Sequence, residues 1–323
     1  MRLTKTYGYL KKDLDMIENA INQSVQADHP VLRDASTKLL EAGGKRIRPT
    51  FVLLAGQFGN YNIERMKTVA VALELIHMAS LVHDDVIDDA DLRRGKPTVK
   101  KMYDNRVAMY MGDYVLASAL EHIATLKYPK AHQVLSKTMV QLVLGEIEQI
   151  KVKYNVNQNI RQYLRRIRRK TALLIATSCK LGALAADIPV SQAAKLYKYG
   201  YYIGMSYQII DDILDFTASE AELGKPAGND LMQGNITLPV LFAMTDKTFR
   251  SMLTNAFSDP KKLDGQCMKE LIFLLKQTDA IKESYRVSEC YLQKALLALN
   301  DLPNVRAKSS LEDIAKYIGK RRS

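Results

Sequence analysis

The chain has 323 residues, of which 47% are hydrophobic, with only 9 prolines and 16 glycines. With no Gly/Ser/Pro-rich linker and no low-complexity tract, these values predict one mostly helical domain over residues 1–323 with a large core. The formal net charge of +12 favours an anionic partner, such as a diphosphate or an anionic membrane surface. The lack of tryptophan and the little mixing of aromatic with basic residues argue against nucleic acid.

Two amphipathic helices are predicted first, over residues 7–27 and 31–42. The segment GGKRIRP follows. Its paired glycines end the second helix, and its proline suits the first position of the next. Lys45, Arg46 and Arg48 lie between them, so this loop is either an anion site at a helix N-terminus or a solvated basic loop.

A long helix is predicted over residues 63–89, and it ends in a dense group of carboxylates. Five fall within eight residues: Asp84, Asp85, Asp88, Asp89 and Asp91. Asp84 and Asp88 share one helix face, where like charges repel, and the negative end of the helix dipole is unfavourable for both. A solvated helix end is one interpretation. The other is a divalent cation, for which Mg²⁺ is the natural choice because it takes hard oxygen ligands.

Two further helices are predicted over residues 107–126 and 131–151. The segment IRQYLRRIRRK, residues 160–170, then carries six cations, most of which we assign to a solvated face. Lys170 and Thr171 differ, because they begin a run of small and apolar residues typical of a bundle interior. A lysine at this position could reach a central cavity.

A second aspartate cluster, Asp211, Asp212 and Asp215, ends the helix predicted over residues 191–216, and Gln208 lies one turn before Asp212. Two such clusters, about 130 residues apart on apolar helices, favour a site in which both clusters face each other and bind a metal–diphosphate group. The loop after this helix is long enough for a lid and contains Lys225. The remaining helices are predicted over residues 238–257, 265–278, 280–300 and 308–320.

The three cysteines are scattered and odd in number, which argues against a disulfide framework and fits a reducing cytoplasm. The first 20 residues lack an apolar signal region, and no run of 18 uncharged apolar residues predicts a transmembrane helix.

These motifs, in this order, resemble the trans-type polyprenyl diphosphate synthases. The resemblance runs through GGKRIRP, the HDDVID segment followed by RRG, KTA, and YQIIDDILDF followed by GKPAGND. The segment DLMQGNITLP most resembles the corresponding segment of the catalytic component of bacterial heptaprenyl diphosphate synthases. One departure is Asn235, where many relatives have a lysine that contacts a diphosphate.

The resemblance implies an all-α, single-domain isoprenoid-synthase bundle around a deep central cavity. It implies three Mg²⁺ ions, with Mn²⁺ as a substitute, bound by Asp84, Asp85, Asp88, Asp211, Asp212 and Asp215. It assigns isopentenyl diphosphate to Lys45, Arg48, His77 and Arg94, and the allylic diphosphate to Arg93, Lys170 and Lys225. Thr171 and Gln208 would line the reacting carbons.

The implied reaction joins isopentenyl diphosphate to an allylic diphosphate, with farnesyl diphosphate expected, and builds an all-trans polyprenyl diphosphate for a menaquinone side chain. The small residues Ala79 and Ser80, one turn before Asp84, either leave room for a long product or serve close helix packing. Heptaprenyl is expected, with hexaprenyl and octaprenyl as alternatives. The resemblance also implies a dimer, of two copies or with a small non-catalytic subunit. The basic net charge, in turn, predicts transient contact with an anionic membrane.

Three rival functions remain open. A terpene cyclase of the same fold usually lacks the second DDxxD motif and needs no isopentenyl diphosphate site. A non-catalytic partner subunit tends to lose the aspartates. A His–Asp phosphohydrolase, suggested by His83 beside Asp84, needs further histidine ligands in a pattern that the other histidines do not form.

Overall fold

Helices make up nearly all the regular structure that the computed structural model describes, which covers residues 7–41, 43–44, 46–93, 95–218, 226–259 and 263–321. A 3₁₀ turn, Gly8–Leu10, comes first, and a five-residue π-helix, Arg168–Ala172, joins α8 to α9. The α-helices are α1 (Lys11–Ser24), α2 (Pro30–Glu41), α3 (Ile47–Gly56), α4 (Ile63–Ile87), α5 (Val99–Met102), α6 (Asn105–Ala124), α7 (Pro129–Val152), α8 (Ile160–Ile167), α9 (Leu173–Ala185), α10 (Val190–Thr217), α11 (Asn229–Met232), α12 (Leu238–Ala243), α13 (Lys247–Ser258), α14 (Gly265–Gln277), α15 (Ala280–Leu299) and α16 (Arg306–Lys320). Strands β1 (Leu92–Arg93) and β2 (Lys96–Pro97) form one antiparallel hairpin between α4 and α5.

The chain divides into two compact units, each built from separate stretches of sequence. Unit 1 comprises Met1–Ser136, Thr177–Tyr197 and Asp301–Leu311, and unit 2 comprises Lys137–Ala176, Lys198–Asn300 and Glu312–Ser323. The all-α class is confirmed, whereas the single domain and the deep central cavity stay predictions. In the described part of the chain, no helix is both long and apolar enough to cross a membrane.

Helix α4 is the core of unit 1. Every residue from Val69 to Ile76 is buried, which means that all faces of the helix are covered over two turns. Helices α1, α3 and α6 pack against it. The Asn62 side chain accepts a hydrogen bond from the Arg65 amide at 3.1 Å and so fixes where α4 begins. The rigid packing of α4 determines where its carboxyl-terminal aspartates lie.

Unit 2 has its own apolar core, formed by residues of α10 to α15. Phe216, Phe249 and Leu271 belong to this cluster and are almost fully buried. The α8 helix begins with a capping box, in which Asn159 and Gln162 exchange side chain–backbone hydrogen bonds of 3.0 and 2.9 Å. This cap fixes the start of the segment that carries Lys170 and Thr171.

The structure corrects several predicted boundaries. The single helix predicted over residues 238–257 is two helices, because the Asp246 side chain accepts a hydrogen bond from the Phe249 amide at 2.9 Å and starts α13. Helix α3 begins at Ile47, two residues before the proline that was expected to start it. The helix predicted to reach residue 89 ends at Ile87, where Asp88 caps it. The β-hairpin, α5, α11 and the π-helix were not predicted.

Candidate active site: two aspartate motifs

The first aspartate motif lies where α4 ends, in unit 1. Asp84 and Asp85 occupy the last turn, and Asp88 is the C-cap, its amide donating to the Asp84 carbonyl at 2.8 Å. Asp89 then takes a left-handed backbone conformation, with φ of 53°, and the helix stops. Asp84 and Asp88 are half-buried, and Asp85 is buried.

The hairpin after α4 supplies a cation to this motif. Arg93 on β1 lies with Nε 2.8 Å and Nη2 2.6 Å from the same oxygen, Oδ1 of Asp85. Burial raises the pKa of Asp85, and Arg93 lowers it only in part, so the net shift is upward. The structure therefore joins two residues that were assigned separate roles, one to a metal ion and one to the allylic diphosphate.

The two aspartates outside the DDxxD pattern have lysine partners from α5. Lys100 Nζ lies 2.5 Å from Asp89, and Lys101 Nζ lies 2.9 Å from Asp91. The five carboxylates of the sequence cluster thus fall into two groups with different surroundings. Asp89 and Asp91 have their charge balanced at the surface, which fits the solvated-end interpretation for those two residues.

The basic loop before α3 differs from the prediction in one respect. Arg46 was grouped with two other cations as an anion site, but its guanidinium binds Glu18 through two hydrogen bonds of 2.5 and 2.6 Å and Glu74 at 3.2 Å. Arg46 also has a left-handed backbone, with φ of 47°. Arg46 therefore connects the loop to α1 and α4. Arg48 lies half-buried in the first turn of α3.

Some predicted residues lie elsewhere on α4, and others cannot be placed. His77 is half-buried on that helix, two turns before the motif. His83, which suggested a phosphohydrolase, packs closely against Gly112 of α6 and lies 3.2 Å from Asp113. Lys45, Arg94 and Lys225 lie outside the described residues.

The second aspartate motif lies on the last turns of α10, in unit 2, and is more deeply buried. Asp212 is 3% exposed and Asp215 is 1% exposed. Tyr163 donates to Asp212 Oδ2 at 2.6 Å, and Gln208 Nε2 donates to Asp212 Oδ1 at 2.8 Å. Burial raises the pKa of Asp212 to about 7 despite these hydrogen bonds.

A hydrogen-bonded chain connects this motif to the KTA segment. Thr171 donates to Gln208 Oε1 at 2.6 Å, and Gln208 in turn donates to Asp212. The segment is a π-helix, a form found frequently at functional sites. A Cβ on Gly204 of α10 would lie 2.5 Å from Ala172 Cα, so glycine is what permits this close approach. The structure thus brings together the two residues predicted to line the reacting carbons.

Lys170 and the two outer aspartates of the motif have partners that the sequence did not suggest. Lys170 Nζ donates to Glu146 at 3.1 Å and to Gln149 at 3.2 Å, both on α7. Arg321, just after α16, lies with Nη1 2.7 Å from Asp211 Oδ1. Asp215 Oδ2 accepts from the Asp230 backbone amide at 3.2 Å.

The solvated-face prediction for residues 160–170 holds for Arg161, Arg165 and Arg168, which are exposed, but fails for Arg166. Arg166 is 6% exposed, and its guanidinium donates to Gln158 at 2.7 Å and to the Ile236 carbonyl. Tyr163, one turn earlier, is fully buried against Asp212. Arg166 and Ile167 follow Tyr163 by three and four residues, a spacing that could have revealed a shared buried face.

The donor set suits Mg²⁺, although the side chains are not gathered around an ion. All six aspartates predicted as ligands carry carboxylates, and burial raises the pKa values of Asp85 and Asp212, so a cation would compensate charges that the protein balances only partly. Within the described ranges, no group of three or more His, Cys, Asp or Glu side chains is arranged to hold a metal. Several of these carboxylates instead bind Arg93, Tyr163, Gln208 and Arg321.

Comparison with known proteins identifies the family. The polyprenyl synthetase family model matches residues 29–272. The chain is 58% identical over 322 residues to heptaprenyl diphosphate synthase component 2 of Bacillus subtilis, covering 100% of this chain and 92% of that protein. It is 57% identical to the protein of the same name from Geobacillus stearothermophilus, covering 99% of both.

Solved structures agree with this result. The Staphylococcus aureus heptaprenyl diphosphate synthase has a TM-score of 0.91 at 42% identity, covering 97% of this chain and 99% of that one. A polyprenyl synthase from Caulobacter crescentus, solved with calcium and isoprenyl diphosphate, has a TM-score of 0.94 at 28% identity, covering 100% and 98%. Both the resemblance drawn from the motifs and the isoprenoid-synthase fold are confirmed, and the chain belongs to the polyprenyl synthetase family.

Proposed function

We propose that this trans-prenyltransferase condenses isopentenyl diphosphate with farnesyl diphosphate and extends the product to heptaprenyl diphosphate. The main support is the 57–58% identity, over essentially the whole chain, to heptaprenyl diphosphate synthase components. All six motif aspartates are present, which a cyclase or a non-catalytic subunit would not need. We further propose that the product supplies the side chain of menaquinone.

The two aspartate motifs would hold Mg²⁺ ions, three in number, and Mn²⁺ would substitute for them. Asp84, Asp85 and Asp88 would form one ligand group, and Asp211, Asp212 and Asp215 the other. When bound, the metal ions would act as Lewis acids that neutralise charge developing on the diphosphate leaving group. Such ions would also compensate the three buried carboxylates, Asp85, Asp212 and Asp215, each of which is costly to bury alone.

The chain's own residues would bind and orient the two substrates. Arg93, Lys170 and Lys225 would bind the allylic diphosphate and stabilise the charge that develops as its C–O bond breaks. Lys45, Arg48, His77 and Arg94 would bind isopentenyl diphosphate. The hydrogen-bonded pair of Thr171 and Gln208 presents neutral dipoles, which can stabilise a cationic carbon without capturing it.

A second subunit is proposed to cover an apolar row on α7. Val140, Val143, Leu144, Ile147 and Ile150 recur every three or four residues and are each at least 40% exposed. The relatives' name, component 2, indicates that those enzymes have a companion component. Val143→Glu should weaken the association, which sedimentation would detect as a smaller species, and Lys151→Glu, an exposed position on the same helix, is the matched control.

The test is an assay of the purified chain with Mg²⁺, labelled isopentenyl diphosphate and farnesyl diphosphate, followed by product sizing. The same assay is repeated with the companion component of the Bacillus subtilis enzyme. Elongation to seven isoprene units in either arm supports the proposal. A cyclised hydrocarbon, or release of diphosphate without elongation in both arms, contradicts it.

A further inference from the structure

Arg321 places a full positive charge on the first carboxylate of the second aspartate motif. Its Nη1 lies 2.7 Å from Asp211 Oδ1. The guanidinium carbon lies 5.4 Å from the ring centre of Tyr207, which precedes Asp211 by one turn of α10. The Arg321 side chain is 23% exposed. Two residues on the same face of α10 therefore hold this guanidinium in place.

Two of the three aspartates of this motif, Asp211 and Asp212, have different kinds of partner. Asp212 accepts hydrogen bonds from the neutral groups of Tyr163 and Gln208. These donors carry no charge, and the nearby Arg166 offsets the effect of burial on Asp212 only in part. Asp211, in contrast, pairs with a cation whose charge is always present. If Asp211 binds Mg²⁺, as in the function proposed above, the guanidinium and the metal ion compete for the same carboxylate.

We propose that Arg321 is an exchangeable counter-ion of Asp211. In the metal-free chain it neutralises this carboxylate, and it leaves when a divalent cation binds. The exchange replaces an ion pair by a metal ligand, so the carboxylate is balanced in both states. The inference rests on the proposed function, because it requires Asp211 to be a metal ligand.

Two features of the structure make Arg321 suitable for this exchange. It lies after the last residue of α16, where its amide donates to the Ile318 carbonyl at 3.2 Å, so moving it breaks few backbone contacts. The ion pair is also partly exposed, with Asp211 35% exposed, and such pairs are weak enough to exchange. A fully buried pair would resist separation.

The test measures Mn²⁺ binding to the chain without substrate, by the loss of the free-ion signal in electron paramagnetic resonance. All proteins carry Asp84→Asn, which weakens the first motif so that the second dominates. Arg321→Gln should bind Mn²⁺ about fivefold more tightly, the scale expected for a partly exposed ion pair. Lys320→Gln removes the same charge from an exposed neighbour and should leave the affinity unchanged.

A third variant separates failure of this inference from failure of the proposed function. Asp211→Asn should weaken Mn²⁺ binding if Asp211 is a ligand. If it does, and Arg321→Gln binds no more tightly than the parent, the exchange is wrong while the metal site stands. If Asp211→Asn binds Mn²⁺ as the parent does, Asp211 is not a ligand, and both assignments fail. If Lys320→Gln raised the Mn²⁺ affinity as much as Arg321→Gln, the increase would come from the lower net charge alone. That result would also overturn the exchange.

Discussion

The two aspartate motifs share the same spacing but lie in different physical environments. The first ends a helix in unit 1, and Arg93 of the hairpin that follows pairs with its buried Asp85. The second lies within unit 2, where Asp212 is almost fully buried and its hydrogen bonds come from Tyr163 and Gln208. The same aspartate spacing therefore does not imply the same energetic environment. Buried Asp85 of the first motif is paired with a cation, whereas buried Asp212 of the second is held by neutral hydrogen bonds in a dry interior, and only the more exposed Asp211 of that motif pairs with a cation, Arg321.

Replacing an aspartate of the first motif should have the largest effect. Asp84→Asn should reduce kcat about a hundredfold to a thousandfold, the scale of losing one preorganised electrostatic group. Asp91→Asn is the matched control, because Asp91 belongs to the same sequence cluster but pairs with Lys101 at the surface. Turnover is measured with labelled isopentenyl diphosphate. Near-normal kcat for Asp84→Asn at saturating Mg²⁺ would remove the metal assignment.

Filling space beside the first motif should change the product. Ala79 is 2% exposed on α4, one turn before Asp84. We expect Ala79→Tyr to shorten the product to about three or four isoprene units, because a bulky side chain there would block a growing tail. Ala79→Ser, which keeps the side chain small, should leave the product unchanged. An unaltered product spectrum for a folded Ala79→Tyr protein would place the tail elsewhere.

The second motif should respond most to loss of a neutral hydrogen bond. Tyr163→Phe should lower the free energy of unfolding by about 1–3 kcal/mol, because buried Asp212 loses a donor at 2.6 Å. Tyr154→Phe serves as the control, since its hydroxyl makes a long contact of 3.4 Å to a carbonyl. Urea unfolding at constant pH measures both. Equal effects of the two substitutions would contradict a stabilising role for the hydrogen bond between Tyr163 and Asp212.

The smallest effect is expected at the surface of the first motif. Lys101→Gln removes the cation that lies 2.9 Å from Asp91, and both side chains are more than half exposed. We expect no change in kcat and no measurable change in unfolding at 0.5 M NaCl, about the salt level at which exposed pairs are screened. A large loss of activity would show that these outer aspartates belong to the site after all.

Sequence patterns predicted the long helices and the motifs well, because both depend on local order. The apolar run of α4 and the aspartate spacing can be read directly, and the structure places most predicted helix ends within two or three residues. Pairings between distant residues could not be read. Tyr163 meets Asp212 and Arg321 meets Asp211 across 49 and 110 residues, and no local pattern encodes such contacts.

Two other predictions failed because the residue type alone did not reveal which partner the side chain binds. Asp246 looks compatible with a continuing helix, yet its side chain caps a new one. Arg46 reads as one of three equivalent cations, and only the structure shows that Glu18 and Glu74 bind it. The meeting of the two motifs across a shared cavity stays a prediction, as do the roles of individual site residues.

The π-helix of Arg168–Ala172 has a consequence for how this enzyme tolerates insertions and deletions. Its wider turn accommodates one more residue than an α-helical turn would. Removing a single residue here would restore regular winding and keep the flanking helices in register, but residues within the former π-turn would shift by about 100°, the angle each α-helical residue subtends. Lys170 and Thr171 could not then both keep their present partners on α7 and α10. Length variation in this segment should therefore be far more harmful than substitution of its exposed side chains.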